Sequence, residues 1–191
     1  MKVVAFNGSA RKQGNTAFLL RTVRDVLEEA GIETETVALA DKSLHGCTAC
    51  MQCFENKNQH CAVTDDDLNE CIDKMLAAEG ILFGSPTYFA NVSTEIKALI
   101  DRAGMTAKAN EDMFKRKVGA AVVAVRRAGA IHVFNSINHF FTIGQMIIPG
   151  ASYWNLGIGL DAGDVAGDEE GLQTMKTLGV NMAWLMRKLY G

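Results

Sequence analysis

Proline is almost missing from this chain: two residues in 191, with aromatic side chains making up only 7%. No proline-rich linker or hinge divides it, and neither internal repeats nor low-complexity segments interrupt it. An excess of either charge is also missing, with 19 basic against 22 acidic residues and a formal net charge of -3. No basic field exists to hold nucleic acid or an anionic membrane surface, so neither partner is expected. The longest stretch without a formal charge, Ala128 to Leu160, is broken by His132, Asn135, Asn138, His139, Gln145 and Pro149, which excludes a transmembrane helix. Met1 to Phe6 is too short an apolar start for a signal peptide and lacks a small-residue cleavage pattern, so a cytoplasmic location is expected. What remains is a globular composition, 48% hydrophobic and 21% charged. A chain of this length buries roughly 70% of its unfolded surface, enough for one full core, and a single domain over residues 1–191 is expected.

The apolar pattern alternates between two periods. Lys2 to Asn7 reads as a short strand, with Gly8-Ser9 as its turn. Asn15-Thr16 then caps a helix whose apolar positions Leu19, Val23, Val26, Leu27 and Ala30 recur at helical spacing up to Gly31. Thr34 to Leu39 alternates as an edge strand would. Asp41 to Ala62 is irregular and carries cysteine. Thr64 before Asp65, Asp66 and Asp67 marks a helix start, because carboxylates favour the positive end of the helix dipole; Leu68, Cys71, Ile72, Met75 and Leu76 form its stripe. Gly80 to Gly84 and Val118 to Val125 are continuous apolar runs of strand length, as expected where both sheet faces are covered. Val92, Ile96, Leu99, Ile100 and Ala103 repeat as a helix face, Ile131 to Ile148 reads as a helix apolar nearly all round, and a final amphipathic helix carries Leu172 to Leu189. Strands alternating with helices require crossover connections, hence a mostly parallel, doubly wound α/β sheet.

In such sheets ligands bind beyond the carboxyl ends of the strands, near the point where strand order reverses. Three loops fall there. Asn7 to Thr16 offers glycines, hydroxyls, Arg11 and a helix N-terminus, the ingredients of a phosphate site or of an ordinary strand-to-helix turn. It is neither a P-loop nor a dinucleotide fingerprint, since Gly8 and Gly14 stand alone and no Lys-Ser or Lys-Thr follows. Ser85 to Val92 joins a rigid proline to two aromatics with hydroxyl and amide groups, which suits a planar heterocycle with polar edges. Val125 to Ala130 brings Arg126 and Arg127. A spacing of Gly157, Gly159 and Ala162 imitates a nucleotide fingerprint, but Asp161, Asp164, Asp168, Glu169 and Glu170 around it would repel a pyrophosphate.

Together Gly8-Ser9-x-Arg11-x-x-Gly14-Asn15-Thr16, Ser85-Pro86-Thr87-Tyr88-Phe89 and Arg127-x-Gly129 resemble the flavodoxin-like NADPH-dependent FMN reductases, and within them the iron-sulfur flavoprotein branch. The resemblance covers nearly the whole chain. It implies a five-stranded parallel sheet in a three-layer α/β/α sandwich. It implies that Ser9, Arg11, Asn15 and Thr16 hold the FMN phosphate, and that Pro86, Thr87, Tyr88 and Phe89 line the ribityl chain and ring with Asn91 nearby. Arg127 and Gly129 would approach the pyrimidine edge, although Ala130 stands where the family often has a second glycine. No catalytic acid or base is indicated.

The five cysteines divide into four and one. Cys47-x-x-Cys50-x-x-Cys53-x7-Cys61 supplies four thiolates on one inserted loop, residues 45–62, enough for a 4Fe-4S cluster or tetrahedral zinc. The spacing matches the compact motif of iron-sulfur flavoproteins; packing alone is the other reading. Cys71 belongs to a helix stripe and behaves as a small hydrophobe. His45 and His60 flank the loop, and His132 and His139 share a helix, without a further ligand pattern. The apolar surplus of the helix over 131–148 points to a subunit interface, and the resemblance implies a homodimer or homotetramer. The expected activity is transfer of hydride from NAD(P)H to FMN and of electrons onward to a quinone, flavin or other small acceptor. The alternatives are an electron-transfer module serving ferredoxin-type partners and a thiol-based redox sensor.

Overall fold

The computed structural model describes residues 1–191. Its strands are β1 (Lys2–Asn7), β2 (Glu33–Ala38), β3 (Gly80–Pro86), β4 (Val118–Val125) and β5 (Leu156–Ile158). The helices are α1 (Asn15–Glu29), α2 (Gln52–Asn56), α3 (Leu68–Ala77), α4 (Thr94–Ala109), α5 (Ala130–Ile143) and α6 (Glu169–Tyr190), with short 3₁₀ turns at Leu39–Asp41 and Asp164–Gly167. The five strands are all parallel, in the order β2-β1-β3-β4-β5. Chain order reverses between β1 and β3, which fixes where a ligand crevice opens.

Alternate residues of each central strand serve opposite layers. Val4, Phe6, Ile81, Phe83, Ala121 and Val123 join a 26-residue core under α3, α4 and α5. Val3, Ala5, Leu82, Ala120 and Val122 join an 18-residue core under α1 and α6. The three-layer α/β/α sandwich and the covered central strands therefore follow the expectation, and β2 lies at an edge. Much of the scarce aromatic content is gathered in one knot. Phe83 meets Phe6 edge-on at 5.7 Å and stacks on Phe140 at 5.2 Å, and Phe141 lies 5.3 Å from it. Each such pair adds about 0.5–1.5 kcal/mol beyond area burial.

Three boundaries differ from the sequence reading, each because a residue near the boundary is engaged by a distant part of the chain. The N-cap of α1 is Gly14 rather than Asn15, whose side chain is drawn elsewhere. Helix α3 begins at Leu68, not Thr64, with Asp67 at its N-cap and Asp66 accepting from Leu68 N at 3.2 Å; Asp66 also pairs with Arg102, and Asp67 accepts from Ser43 N at 2.7 Å. Helix α5 stops at Ile143, and Ile147 instead bridges to Val118 at the start of β4. Strand β5, three residues long, offers too short a pattern to be read from sequence.

Candidate functional site

A cleft of about 220 Å³ opens at the carboxyl ends of β1, β3 and β4. Its first wall is the loop from β1 to α1. Ser9 N donates to Asn7 Oδ1 at 3.1 Å and Arg11 N to Ser9 Oγ at 3.1 Å, a pair of local turns that folds the loop back over the strand end. Gly14 caps α1 without a side-chain acceptor, so the first amides of the helix keep their donors for whatever enters. Ser9, Arg11, Asn15 and Thr16 all line the cleft.

The second wall is the end of β3. Thr87 N and Thr87 Oγ1 both donate to Ala124 O, at 2.8 and 3.1 Å, tying the loop to β4. Beyond it Tyr88 and Asn91 exchange backbone hydrogen bonds of 3.0 and 2.9 Å. The two residues between them, Phe89 (φ 46°) and Ala90 (φ 58°), are both left-handed, the pattern of a type I′ turn ordinarily made by Asn-Gly. A phenylalanine in that region is strained. The residue is wholly exposed, at 107% of the reference area. Gly129 (φ 89°) holds the turn from beneath: a Cβ there would stand 3.0 Å from both Cα and Cβ of Ala90.

The remaining walls are Ala124, Val125 and Arg126 at the end of β4, and Gly159 and Leu160 after β5. Gly159 is there because of Asn15. A Cβ on it would lie 2.7 Å from Asn15 Nδ2, and the Asn15 side chain donates to Asp161 O (2.9 Å) while accepting from Gly163 N (2.9 Å). Arg11 Nη1 reaches Leu160 O at 3.3 Å. The acidic residues of this loop serve their own backbone: Asp164 accepts from Asp161 N at 2.7 Å and Asp168 from Ile158 N at 2.7 Å.

Of the residues expected at the site, Ser9, Arg11, Asn15, Thr16, Pro86, Thr87 and Tyr88 come together in one cleft. Phe89, Asn91, Arg127 and Gly129 lie outside its lining; Asn91 is turned to its own loop, accepting from Val92 N at 2.8 Å. Arg126 stands in the wall in place of Arg127. Gly159 and Leu160 line the cleft without being expected there, because in sequence their glycine spacing reads only as an imitation fingerprint; the signal that could point to them is their position after the next strand. The cleft holds two arginines and no carboxylate, a charge balance that favours an anion. It offers no acid or base beyond the Tyr88 phenol, so it can bind and orient a reactive group rather than shuttle protons for it.

Cys47, Cys50, Cys53 and Cys61 line a second, much smaller cavity of about 20 Å³, against Arg102, Met105 and Thr106 of α4. All are free thiols. The loop holds four non-glycine residues in left-handed backbone, Ala49, Met51, Lys57 and Gln59. Side chains from the flanking helices clamp it: Asn69 accepts from Cys61 N at 2.8 Å and donates to Cys61 O at 3.0 Å, and Asn110 accepts from Gln59 N at 2.9 Å. The Cys50 thiol is held below its ordinary value by the Gln52 amide and the Thr48 hydroxyl, whereas burial pushes Cys53 up. No group of three or more His, Cys, Asp or Glu side chains is arranged to hold a metal ion. The thiols surround a space instead of meeting at a point, a poor match for one tetrahedral zinc at about 2.3 Å from each sulfur. His60 is engaged with Asp73 at 2.8 Å and His45 is exposed; neither joins the cavity. Cys71 is fully buried in the α3 stripe, its thiol pushed up to about 12 by burial.

Helix α4 runs from the β3 loop to the cysteines: Ser93 caps its start by accepting from Ile96 N at 3.3 Å, and Arg102 lines the cysteine cavity.

The strand order, with a crevice at its reversal, defines a flavodoxin-like α/β protein. The chain belongs to the NADPH-dependent FMN reductase family, whose model matches residues 1–161. Among curated proteins it is similar to an iron-sulfur flavoprotein of Methanocaldococcus jannaschii, 38% identical over 194 residues covering 98% of each chain. An iron-sulfur flavoprotein of Methanosarcina thermophila is 36% identical over 152 residues, 78% of each chain. Among solved structures, RosB with bound 8-demethyl-8-formylriboflavin-5'-phosphate superposes with a TM-score of 0.77 at 18% identity, covering 99% of this chain and 80% of that one. A flavodoxin from the domain Archaea superposes with a TM-score of 0.62 at 16% identity, covering 98% and 99%. No helix is long and apolar enough to cross a membrane.

Proposed function

We propose that this FMN reductase-family flavoprotein takes reducing equivalents from NAD(P)H through FMN held in the cleft and delivers them to a small acceptor such as a quinone or another flavin. The observation that carries this reading is the convergence of Ser9, Arg11, Thr16 and the uncapped start of α1 with Pro86, Thr87 and Tyr88 in one carboxylate-free cleft. FMN supplies the hydride and electron chemistry when bound. The α1 amides, Ser9 and Thr16 hold its phosphate, with Arg11 and Arg126 balancing the charge. Asn15 positions the Gly159–Leu160 wall through its bonds to Asp161 and Gly163. Tyr88 flanks the ring, and Gly129 and Asn91 act at one remove, by fixing the turn that carries Phe89. Arg127 is left to solvent.

A second reading, an electron-transfer module for ferredoxin-type partners, is favoured by the four free cysteines around one cavity and by the similarity to iron-sulfur flavoproteins. The donor set fits a 4Fe-4S cluster better than zinc, with Cys47, Cys50, Cys53 and Cys61 as ligands and one-electron transfer as its chemistry. The test is stopped-flow reduction of the anaerobic flavoprotein. Bleaching by NADH or NADPH within catalytic turnover supports the reductase. Bleaching by reduced ferredoxin alone supports the module. Retention of neither FMN nor reconstitutable flavin defeats both.

An assembly of two or four chains accords with the exposed aromatic surface of Tyr153, Trp154 and Trp184. It does not rest on α5 as a whole, because Val133, Ile137, Phe140 and Phe141 of that helix are buried within the chain and only Ile143 of its large apolar residues is exposed. Light scattering giving the mass of one chain at all concentrations would contradict the assembly.

A further inference from the structure

Arg102 is the largest fully buried side chain in the molecule, 1% exposed, and a bare guanidinium is costly to bury. One arm is accounted for. Nη1 donates to His45 O at 3.2 Å and forms an ion pair with Asp66, whose side chain is likewise wholly buried. Burial alone would raise the Asp66 carboxyl, yet the hydrogen bonds from Arg102, His45 N and Leu68 N hold it below its ordinary range, so the pair stays charged. The other arm points to the cysteines: Nη2 donates to Cys61 Sγ at 3.4 Å and to Val63 O at 3.2 Å. The remaining donor, Nε, is buried without any acceptor. No other charged side chain lines the four-thiol cavity. A loop clamp would be served by Nη1 and the Val63 contact alone. A hydrogen bond aimed at a ligand sulfur, with an orphaned N–H beside it, answers instead to negative charge on the thiol side of the cavity.

We propose that Arg102 sets the reduction potential of the iron-sulfur centre held by Cys47, Cys50, Cys53 and Cys61. This inference rests on the cluster reading above. A thiolate-ligated cluster gains one negative charge on reduction, and hydrogen bonds to its sulfurs are among the levers that set its potential. A guanidinium fixed against Cys61 stabilises the reduced state and raises the potential. Asp66 offsets part of the long-range field but leaves the N–H to sulfur contact intact, and an arginine does not lose its proton in the working pH range, so the effect is constant with pH. Arg102 is thus a positioning and tuning residue, not a ligand.

The test compares wild-type holoprotein with R102K, which keeps the charge and loses the fork, and with R102M/D66N, which removes the pair without leaving Asp66 buried and unpartnered. Iron and acid-labile sulfide are measured first, then the midpoint potential by redox titration followed by electron paramagnetic resonance. We expect undiminished iron and sulfide, with the reduced-to-oxidised ratio at fixed potential about tenfold lower in the double variant, equivalent to about 59 mV for one electron, and an intermediate value in R102K. A potential unchanged within twofold in a fully loaded double variant overturns the inference and leaves the cluster reading standing. Absence of iron and sulfide in the reconstituted wild type overturns the cluster reading, and this inference with it. Should the variants not load, wild-type protein carrying 15N-arginine decides. Arg102 is the one arginine lining this cavity, so a 15N hyperfine coupling to the reduced cluster supports the contact, and no coupling overturns it.

Discussion

Cys71 and the loop cysteines differ only in surroundings, and the difference has two measurable consequences. In metal-free native protein at pH 8, the exposed Cys47 and Cys50 are expected to react quickly with a thiol reagent, the partly buried Cys53 and Cys61 more slowly, and Cys71 only on unfolding, since burial holds it protonated up to about 12. The same shift gives an alkaline limb to stability. The unfolded chain releases this proton near pH 8.5 and the folded chain keeps it, so between those values the native state binds more protons and stability falls as pH rises. Replacing Cys71 with Ala is expected to flatten that limb in denaturant titrations at pH 9–11; a limb of unchanged slope would show that other groups cause it. The division into four and one was legible in sequence because the helical stripe with Leu68, Ile72 and Met75 claimed Cys71. The choice between Arg126 and Arg127 was not legible, because both lie in the loop past the end of β4 at Val125, where no period fixes which side chain faces the cleft. Ala-scanning separates them: R126A is expected to weaken FMN binding about tenfold or more, as loss of a charge-assisted contact does, and R127A less than twofold. The reverse order in a fluorescence titration would assign the cleft to Arg127.

Among the elements, the turn at Tyr88–Asn91 is the clearest case of local rules overridden. Nothing in Tyr-Phe-Ala-Asn favours two left-handed residues, so sequence alone reads it as a plain loop with aromatics. Its shape is imposed by the paired backbones and by Gly129 beneath Ala90. G129A meets both a left-handed φ and a neighbour at 3.0 Å, and is expected to cost roughly 1–3 kcal/mol of stability, with FMN affinity falling in parallel. Thermal denaturation and flavin titration check it, and a variant as stable as wild type would mean the turn yields easily. Strands β3 and β4 were readable because both faces are covered and every residue from Gly80 to Ser85 and from Val118 to Val125 is buried. The aspartates at 65–67 do precede a helix, with Asp67 at the N-cap of α3, but the role of Asp66 as the partner of the buried Arg102, 36 residues away, lies beyond any local window.

For the molecule as a whole, the scarcity of aromatics and prolines turns out to be a matter of placement. Phenylalanines knit the layer under α4 and α5, while Tyr88 lines the cleft, Phe89 stands exposed on the turn beside it, and Tyr153, Trp154 and Trp184 face outward. The parallel, doubly wound sheet follows from alternating periods plus the crossover rule, which is why the fold class is legible in the sequence. The cleft was legible loop by loop but not as a closed wall, since the Gly159–Leu160 side depends on Asn15 reaching across from residue 15 to residues 161 and 163. The central claim, a flavin cleft paired with a four-cysteine redox centre, is tested most directly by the visible spectrum of the anaerobically purified protein, read with its FMN, iron and sulfide content. The account predicts flavin bands riding on a broad iron-sulfur absorption, with both bleached on reduction; a colourless protein that takes up neither FMN nor iron on reconstitution would contradict it.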